Sequence, residues 1–459
     1  MAEPRHPAPT TSSTSAPPEP RDTKIPSGGF AAIVAVMRIA AYRDFTIGST
    51  LSVIGVWLQR VATGWLTWEL TETPSWLGII LFTDLFTMIL CSPLWGVVAD
   101  RMDRVRLMQL AQTLLFCHAV AITLCYMLGW ITIEWLVVLT AFMGVGHAAH
   151  SAGRLSLLPN LVPKTLIAQA IAINAMSFNT ARFVGPAVAG LVIASWGLTP
   201  AFAINAMTYV AFALLLRRVK MMTPDKARSS KAGVWREMAE GFRYAARHAG
   251  IGPMLLMMLA TAFTIRALPD LLPAFAAQVF GRGVDGLAWL TSAMGLGAML
   301  GGLQVARQHG THGLTLRVIW NVALMAVALA ALAATEDFRL GVLAALACGY
   351  VLTINGTGTQ TLVQSAVEGE LRGRVMAVYT LIYQGAPAIG AVVLGALADH
   401  FGMRWPFMGG AAVCLVVWLW MLRRAAAIRA SLETAAAIVP QPGPAAGHVT
   451  AGDAATRPS

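Results

Sequence analysis

The sequence contains few charged residues. Only 12% of its 459 residues are Asp, Glu, Lys or Arg, whereas an average soluble domain carries about 25%. Hydrophobic residues make up 57% of the chain, and the mean hydropathy is +0.64. This composition excludes an ordinary soluble domain and indicates a protein that lies in a lipid bilayer.

Several motifs of enzymes and metalloproteins are also missing. The five cysteines all lie inside apolar runs and form no CxxC pair, which argues against a disulfide framework or a metal site. The chain has no phosphate-binding loop of the form GxxxxGK[ST] and no catalytic constellation. We therefore predict that the protein is not an enzyme, binds no cofactor or metal, and does not use ATP directly.

Long apolar runs, by contrast, occur along nearly the whole chain. Only helices and closed barrels satisfy the backbone in lipid, and a barrel strand has only about ten residues. The runs therefore predict an all-α integral membrane protein with twelve transmembrane helices. They cover approximately residues 45–69, 76–98, 107–128, 132–153, 168–194, 199–217, 252–276, 286–306, 314–334, 339–362, 375–398 and 404–422.

Basic residues are concentrated in every second loop. Three arginines lie between spans 2 and 3, many more basic residues lie between spans 6 and 7, and others follow span 12. The alternate loops hold only Arg282, Arg339 and Arg404. Because positive residues mark cytoplasmic loops, we predict that both termini lie in the cytoplasm. The net charge of +11 then reflects membrane orientation and not binding to nucleic acid.

The composition also divides the chain into five segments. Residues 1–40 and 425–459 are rich in Pro, Ser, Thr or Ala and are predicted to be cytoplasmic tails, disordered for the most part. Residues 41–218 and 251–424 are each predicted to form a six-helix bundle, with a basic cytoplasmic linker at 219–250 between them.

An internal repeat relates the two predicted bundles. At an offset of 205 residues, Gly96 falls on Gly301, and three glycines in and just after the fifth span fall on glycines of the eleventh span. These three pairs are Gly185 with Gly390, Gly190 with Gly395, and Gly197 with Gly402. Two pseudo-symmetric six-span halves are typical of one large group of secondary transporters.

Five stretches of sequence resemble this group, the major facilitator superfamily. Within it, the chain is most similar to the branch of the enterobactin exporter and the transmembrane secretion effectors, over roughly residues 40 to 425. The stretches are WLQRVATGWLTWELT, SPLWGVVADRMDR, NTARFVGPAVAG, RALPDLLPAFA and LTSAMGLGAMLGGL. The resemblance implies a transporter that works by alternating access and is embedded in the bacterial inner (plasma) membrane.

The loop GVVADRMDRVR between spans 2 and 3 resembles the signature G-x-x-x-D-R-x-G-R-[RK] of this superfamily. Gly96, Asp100, Arg101 and Arg104 match the signature, whereas Asp103 replaces its second glycine. The resemblance implies a conformational gate that locks one access state. The alternative is that the arginines only fix orientation. The second-half counterpart, GGLQVARQHG, has no acidic residue.

The segment RFVGPAVAG in span 5 resembles the antiporter motif G-x-x-x-G-P-x-x-G-G. Gly185, Pro186 and Gly190 match it, but Ala181 stands at the first glycine. The resemblance favours export over import. Close helix packing at the glycines is the alternative explanation.

Ionisable residues inside the spans are the candidates for ion coupling, because unpaired charges in lipid cost free energy. We predict that they face a central cavity or pair with one another. Asp84 is the strongest candidate for a proton carrier. Three arginines against two acids would leave the cavity positive, which suits an anionic substrate. The alternative is that each arginine is a packing residue bonded to carbonyl groups at a helix break. The candidates are Arg60, Asp84, Arg182, Arg266 and Asp270.

Histidines and aromatic residues in the spans offer two further hypotheses. His118, His147 and His150 could relay protons or could be polar residues satisfied within the bundle. Trp57, Tyr379 and Tyr383 could contact an aromatic substrate or could be packing residues. These three aromatic residues lie in spans 1 and 11.

The sequence thus predicts a secondary active transporter that exports a small organic molecule, such as a siderophore, a drug-like compound or another metabolite. Its expected partners are that molecule, the proton and the lipid bilayer. The alternatives are an importer or uniporter of a small solute and, from another class, a non-transporting membrane receptor or scaffold.

Overall fold

A computed structural model describes residues 30–219, 234–307, 311–367 and 371–438 of the chain. These residues form helices and no strands. The outer parts of the two predicted tails, at 1–29 and 439–459, and residues 220–233 of the predicted linker lie outside the described residues.

Fifteen α-helices occur in the described residues, and the apolar runs form the long ones. The helices are α1 (Phe30–Met37), α2 (Ala40–Thr71), α3 (Pro74–Arg101), α4 (Arg104–Met127), α5 (Ile133–Leu157), α6 (Ile167–Trp196), α7 (Leu198–Leu216), α8 (Val234–Arg247), α9 (Ile251–Phe263), α10 (Leu268–Ala274), α11 (Val284–Ala306), α12 (Leu314–Ala334), α13 (Phe338–Ala366), α14 (Leu371–Phe401) and α15 (Arg404–Ile438).

Nine of the described helices are long and apolar enough to cross a bilayer, and the bent pair α9 and α10 gives a tenth. Helices α2 and α6 have 32 and 30 residues, which is also sufficient, since a span needs about 20. The protein is therefore an all-α, multi-pass membrane protein, and the count is consistent with the twelve spans predicted. Below, α2–α7 are called the first half and α9–α15 the second half.

The seventh span is broken near its middle. Helix α9 ends at Phe263, a 3₁₀ turn covers Ile265–Ala267, and the axis bends by 46°. A π-helical turn then follows α10 at Phe275–Val279. Pro269 and Pro273 lie in this segment, and each removes a backbone donor that a straight helix would need. The break places Arg266 and Asp270 at mid-span.

The 205-residue repeat is visible in the packing of the glycines. Gly197 and Gly402 have φ values of +83° and +79°, a conformation open mainly to glycine. Each lies in the short turn between the fifth and sixth spans of its half. Gly144 packs on the backbone of Asp84 in α3, and its equivalent Gly349 packs on the backbone of α11. The two halves therefore repeat the same helix contacts.

The loops rich in Lys and Arg lie at one end of the molecule, called here the basic end. At the other end, called the opposite end, α3 of the first half packs on α14 of the second half. Gly78 lies against the backbone of Ala391, Gly395 lies against Pro74, and the backbone N–H of Ser75 donates to Asp399 at 3.3 Å. Glycines permit this close approach because they carry no Cβ.

Toward the basic end the same two helices separate. A Cβ placed on Gly96 of α3 or on Gly373 of α14 would meet no atom within 4 Å. Helix α6 repeats the opposite-end contact, since Gly190 packs on Ala288 near the start of α11. The halves thus meet at the opposite end and diverge at the basic end.

Three helices lie partly or wholly outside the predicted bundles. Helix α1 lies within the predicted N-terminal tail, α8 lies within the predicted linker, and α15 continues beyond residue 424 to Ile438. The extension of α15 is held by burial of Ile428 and Leu432. Glu433 also accepts hydrogen bonds from the backbone N–H groups of Gly313 and Thr315 at the start of α12. These contacts explain why the segment is helical here.

We predict that Gly78→Ala and Gly395→Ala will destabilise the protein, whereas Gly409→Ala will not. A Cβ at Gly78 or Gly395 would lie 2.5 or 2.7 Å from backbone atoms of the other half, while Gly409 has open space around it. Overpacking costs about 1–3 kcal/mol, and alanine in an open helical site stabilises by up to about 1 kcal/mol. Thermal unfolding in detergent should therefore show lower midpoints for the first two variants only. Equal midpoints for all three would contradict the close contact of α3 and α14.

Candidate functional site

A central cavity lies between the two halves and measures about 1320 Å³ with its open mouth included. Both halves contribute to its walls, which combine apolar side chains with a row of threonines. The ionisable and hydrogen-bonding residues that line it are Gln59, Arg60, Thr63, Thr67, Asp84, Thr140, His147, Tyr209, Asp270, Thr291 and Thr353. Trp57 and Pro186 also line the cavity. It is therefore the candidate substrate site.

Arg60 and Asp270 form an ion pair across the cavity. The Nε and Nη2 atoms of Arg60 donate to the two carboxylate oxygens of Asp270 at 2.7 and 2.9 Å. Arg60 belongs to α2 of the first half, and Asp270 to α10 of the second. The side chain of Asp270 is only 9% exposed, whereas that of Arg60 is 44% exposed. The Arg60 guanidinium also lies 5.4 Å from the centroid of Trp57. This bidentate geometry is the strongest form of a charged hydrogen bond.

Asp84 and His147 form a second titratable pair, entirely within the first half. The Nδ1 atom of His147 lies 3.0 Å from a carboxylate oxygen of Asp84. Close packing of α5 on α3 at Gly144 brings the two side chains together, because a Cβ there would lie 2.6 Å from the Asp84 carbonyl oxygen. The pair can hold a proton between a carboxylate and an imidazole.

The partner of Asp84 was not predicted from the sequence. The three histidines named in the sequence analysis have different surroundings in the structure. His150 lies 2.9 Å from the side chain of Gln112, and His118 is 2% exposed. Only His147 reaches the cavity. Gly144, three residues before His147, is the sequence signal for the close approach of α5 to α3.

A chain of neutral polar side chains runs beside the ion pairs. Asn205 of α7 donates to Gln59 at 3.0 Å, and Gln59 donates to Thr63 at 3.2 Å. Gln59 and Asn205 are 2% and 0% exposed. The hydrogen bonds satisfy groups that would otherwise cost free energy in lipid, and they fix the face of α2 that carries Arg60.

Arg266 lies in a separate cluster of the second half. Its guanidinium carbon is 3.6 Å from the centroid of Tyr383, which stacks on Tyr379 with centroids 5.5 Å apart. The hydroxyl of Tyr379 donates to the carbonyl oxygen of Gly356 at 3.0 Å. None of these three side chains lines the central cavity. The two tyrosines therefore pack on each other and on an arginine in this conformation.

The described lining residues give a partial charge balance for the cavity. Among the described lining residues there are one arginine, two carboxylates and one histidine. Arg266 packs elsewhere, and Arg182 lies in α6 with a side chain outside the described part of the structure. Arg60 is thus the one arginine among the described lining residues, and Arg266 contacts Tyr383 instead.

The loop between α3 and α4 is short and largely exposed. Asp100 and Arg101 lie in the last turn of α3 and are exposed, and Arg104 is half-buried in the first turn of α4. Asp103 accepts a hydrogen bond from the backbone N–H of Arg106 at 3.0 Å. Asp103 is therefore the N-cap of α4, where an acceptor stabilises the helix by about 0.5–2 kcal/mol. This role accounts for an aspartate where the superfamily signature has glycine.

The fifth-span segment joins the cavity to the contact between halves. Gly185 packs on Trp57, Pro186 lines the cavity, and Gly190 packs on Ala288 of the second half. Both glycines thus take part in close packing in this conformation, and Pro186 lies beside the cavity.

Comparison with known proteins identifies related sequences over most of the chain. A sequence profile described as transmembrane secretion effector matches residues 31–445. The staphyloferrin A transporter of Staphylococcus aureus is 23% identical over 386 residues, which cover 83% of this chain and 96% of that protein. The enterobactin exporter of Escherichia coli is 23% identical over 366 residues, covering 78% and 85%.

Solved transporters share the fold. The nucleoside transporter NupG superposes with a TM-score of 0.66 over 84% of this chain and 99% of its own, at 11% sequence identity. At that identity the likeness shows the fold alone.

We predict that Arg60 and Asp270 are energetically coupled. Arg60→Gln or Asp270→Asn alone leaves one charge without its partner, whereas the double variant removes both charges. In a double-mutant cycle of thermal stability in detergent, the double variant should lose less than the sum of the single variants, by about 1–3 kcal/mol. Glu336→Gln, which breaks an exposed pair with Arg404, is the control and should change stability by less than about 1 kcal/mol. Strict additivity at Arg60 and Asp270 would show that the contact is not an effective ion pair.

Proposed function

The chain belongs to the transmembrane secretion effector family of the major facilitator superfamily, whose members are small-molecule transporters and not enzymes, and we propose that it exports an organic molecule by proton antiport. The proposed site is the central cavity, the proposed location is the bacterial inner membrane, and the proposed cycle is alternating access. In this cycle the basic end is cytoplasmic, so the conformation described here is open toward the cytoplasm.

The observation that carries this proposal is the ion pair between Arg60 and Asp270. It is a charged contact between the two halves inside the cavity, and alternating access requires the halves to move relative to each other. A proton on Asp270 removes the charge that holds Arg60 and so weakens the contact. Proton binding is thereby linked to the relative position of the halves.

The pair of Asp84 and His147 supplies a second proton-binding group next to the first. Asp84 and Arg60 line the same cavity. When Asp270 is protonated, Arg60 can move its interaction toward Asp84 within its own half. Asp84 then shares its charge between Arg60 and His147. In this exchange the protein binds a proton in one conformation and releases it in the other. Arg60 has a carboxylate partner throughout, so no unpaired charge is left buried.

The lining of the cavity supports an organic substrate with both apolar and hydrogen-bonding groups. Trp57, Met143 and Met294 provide apolar surface, while Thr63 and Thr291 provide hydroxyl groups. The relatives named for enterobactin export and staphyloferrin transport handle siderophores. We therefore propose a siderophore-like or drug-like compound, or another metabolite of mixed polarity.

The loop residues Gly96, Asp100, Arg101 and Arg104 are proposed to act later in the cycle. In the present conformation the halves diverge at the basic end, and no residue of the described chain forms an ion pair with Asp100. Closure of the basic end would bring this loop toward α14. We propose that Asp100 and Arg101 then act as the gate, while Asp103 keeps the start of α4 in place.

A comparison of metabolites exported by cells with and without the protein would supply the compound for a direct test. In proteoliposomes with an imposed pH gradient, we expect wild-type protein to drive that compound against its concentration gradient. Asp84→Asn should reduce gradient-driven transport at least about tenfold, because it removes one of the two proposed proton-binding groups, while exchange without a gradient continues. Flux that ignores the pH gradient would indicate a uniporter, and accumulation in the direction of proton entry would indicate an importer.

Asp285→Asn provides the matched control for this experiment. Asp285 pairs with Arg282 at the opposite end and is 58% exposed, so the variant should transport normally. A normal pH response of Asp84→Asn, in protein that folds as well as Asp285→Asn, would remove Asp84 from the mechanism.

A further inference from the structure

A second, smaller groove lies on the surface between α11 and α12 at the basic end. Its space is about 830 Å³, including the part open to its surroundings. Leu300, Leu303 and Gln304 of α11 line it, together with Arg307 and Arg317. Arg307 is the C-cap of α11, and Arg317 lies in the first turn of α12. The groove is well separated in the sequence from every residue of the central cavity that carries the proposed coupling.

The two arginines of this groove are exposed and have no acidic neighbour to neutralise them. No ion pair to either side chain occurs in the described part of the chain, and the nearby carboxylate of Glu433 is held by Arg429 and by the start of α12. The stretch from residue 301 to residue 317 contains no Asp or Glu. Two positive charges thus line one groove, and no described residue supplies a counter-charge.

The equivalent turn of the first half is built differently. The 205-residue repeat places Asp100 on Val305 and Gly96 on Gly301. The first-half turn therefore contains two aspartates among its arginines, and the second-half turn contains none. Of these two equivalent turns, only the second-half turn therefore lacks a carboxylate beside its positive charges.

The walls of the groove are apolar on the side that leads into the membrane. Leu300 and Leu303 are 43% and 51% exposed although they belong to a membrane-spanning helix. Trp320, one turn beyond Arg317 on α12, is 49% exposed, and tryptophan is enriched at the level of the lipid headgroups. Basic residues at the end of a span, followed by exposed apolar residues, form the pattern expected where headgroups give way to acyl chains.

Gln304 adds a hydrogen-bond donor to the groove. The hydroxyl of Tyr350 donates to its Oε1 atom, so the group that Gln304 offers to a ligand is its Nε2 amide. The groove thus presents two guanidinium groups and one amide donor, and no acceptor of comparable strength among its lining side chains. A phosphate group can accept hydrogen bonds from all of these donors.

We propose that this groove binds an anionic phospholipid. Arg307 and Arg317 hold its headgroup phosphate, Gln304 donates a further hydrogen bond, and an acyl chain lies along Leu300 and Leu303. The combination of charge and apolar wall selects a lipid over a soluble anion. Orientation by positive charge needs only basic residues on the cytoplasmic side, whereas lipid binding needs the groove, the donors and the exposed leucines together.

Native mass spectrometry of the purified full-length protein tests this proposal. In detergent, a charge variant cannot act by changing the orientation of the protein in the membrane, so a change in lipid retention reports on binding. The probes are phosphatidylglycerol and cardiolipin, with phosphatidylcholine as the zwitterionic comparison. We expect anionic lipid to be retained preferentially by the wild-type protein. Arg307→Gln with Arg317→Gln should weaken that retention about tenfold or more. Arg218→Gln with Arg423→Gln removes two exposed charges at the same end and should leave it unchanged.

Three outcomes would overturn the proposal. One is equal loss in the two double variants, which would mean that retention follows total charge. Another is equal retention of phosphatidylcholine by the wild-type protein. The third is displacement of the lipid by inorganic phosphate, but not by chloride at matched ionic strength, which would indicate a site for a soluble anion.

A conservative variant keeps the test valid if the glutamine variant does not fold. Arg307→Lys with Arg317→Lys retains both charges but not the planar guanidinium groups. We expect intermediate retention of anionic lipid, between the wild-type protein and background. Leu303→Asn places an amide on the apolar wall and should weaken retention of anionic lipid. Unchanged retention in this variant would contradict the proposed path of the acyl chain.

Discussion

The free-energy cost of a charge in the membrane interior governs the arrangement of the polar residues in this protein. Arg60 would be unfavourable at mid-span without a partner, and Asp270 of the other half provides one through two short hydrogen bonds. The need to pair this arginine therefore ties the halves together at the cavity. The same requirement places Asp84 beside His147 and gives Arg266 the face of Tyr383.

The contacts that permit this pairing are made by backbone and not by large side chains. Gly78 and Gly395 let α3 and α14 approach at the opposite end, and Gly190 does the same for α6 and α11. Lipid provides no hydrophobic force between helices, so close packing at small residues has to hold them together. With the halves joined at that end and apart at the basic end, a charged contact near the middle is well placed to respond to their movement.

The two halves repeat the same contacts, yet their loops at the basic end have diverged. In the first half, Asp103 caps α4 and neutralises part of the local charge. In the second half, the corresponding turn carries Arg307 and no acid, and it opens onto a groove with leucine walls. The two halves thus share a backbone arrangement but differ in the residues of this turn. We propose a gate for the turn of the first half and a lipid site for the turn of the second half.

The sequence alone predicted the membrane class, the helical spans, the repeat and the family, because a bilayer leaves only one way to satisfy the backbone of a 20-residue apolar run. It also predicted that Arg60, Asp84 and Asp270 would face a cavity or pair. Only the tertiary structure decided the partners, since helical periodicity gives the face of a residue but not the neighbouring helix. The structure alone shows that His147 pairs with Asp84 and that Arg266 packs on Tyr383 outside the cavity. Both contacts join helices that are distant in the chain.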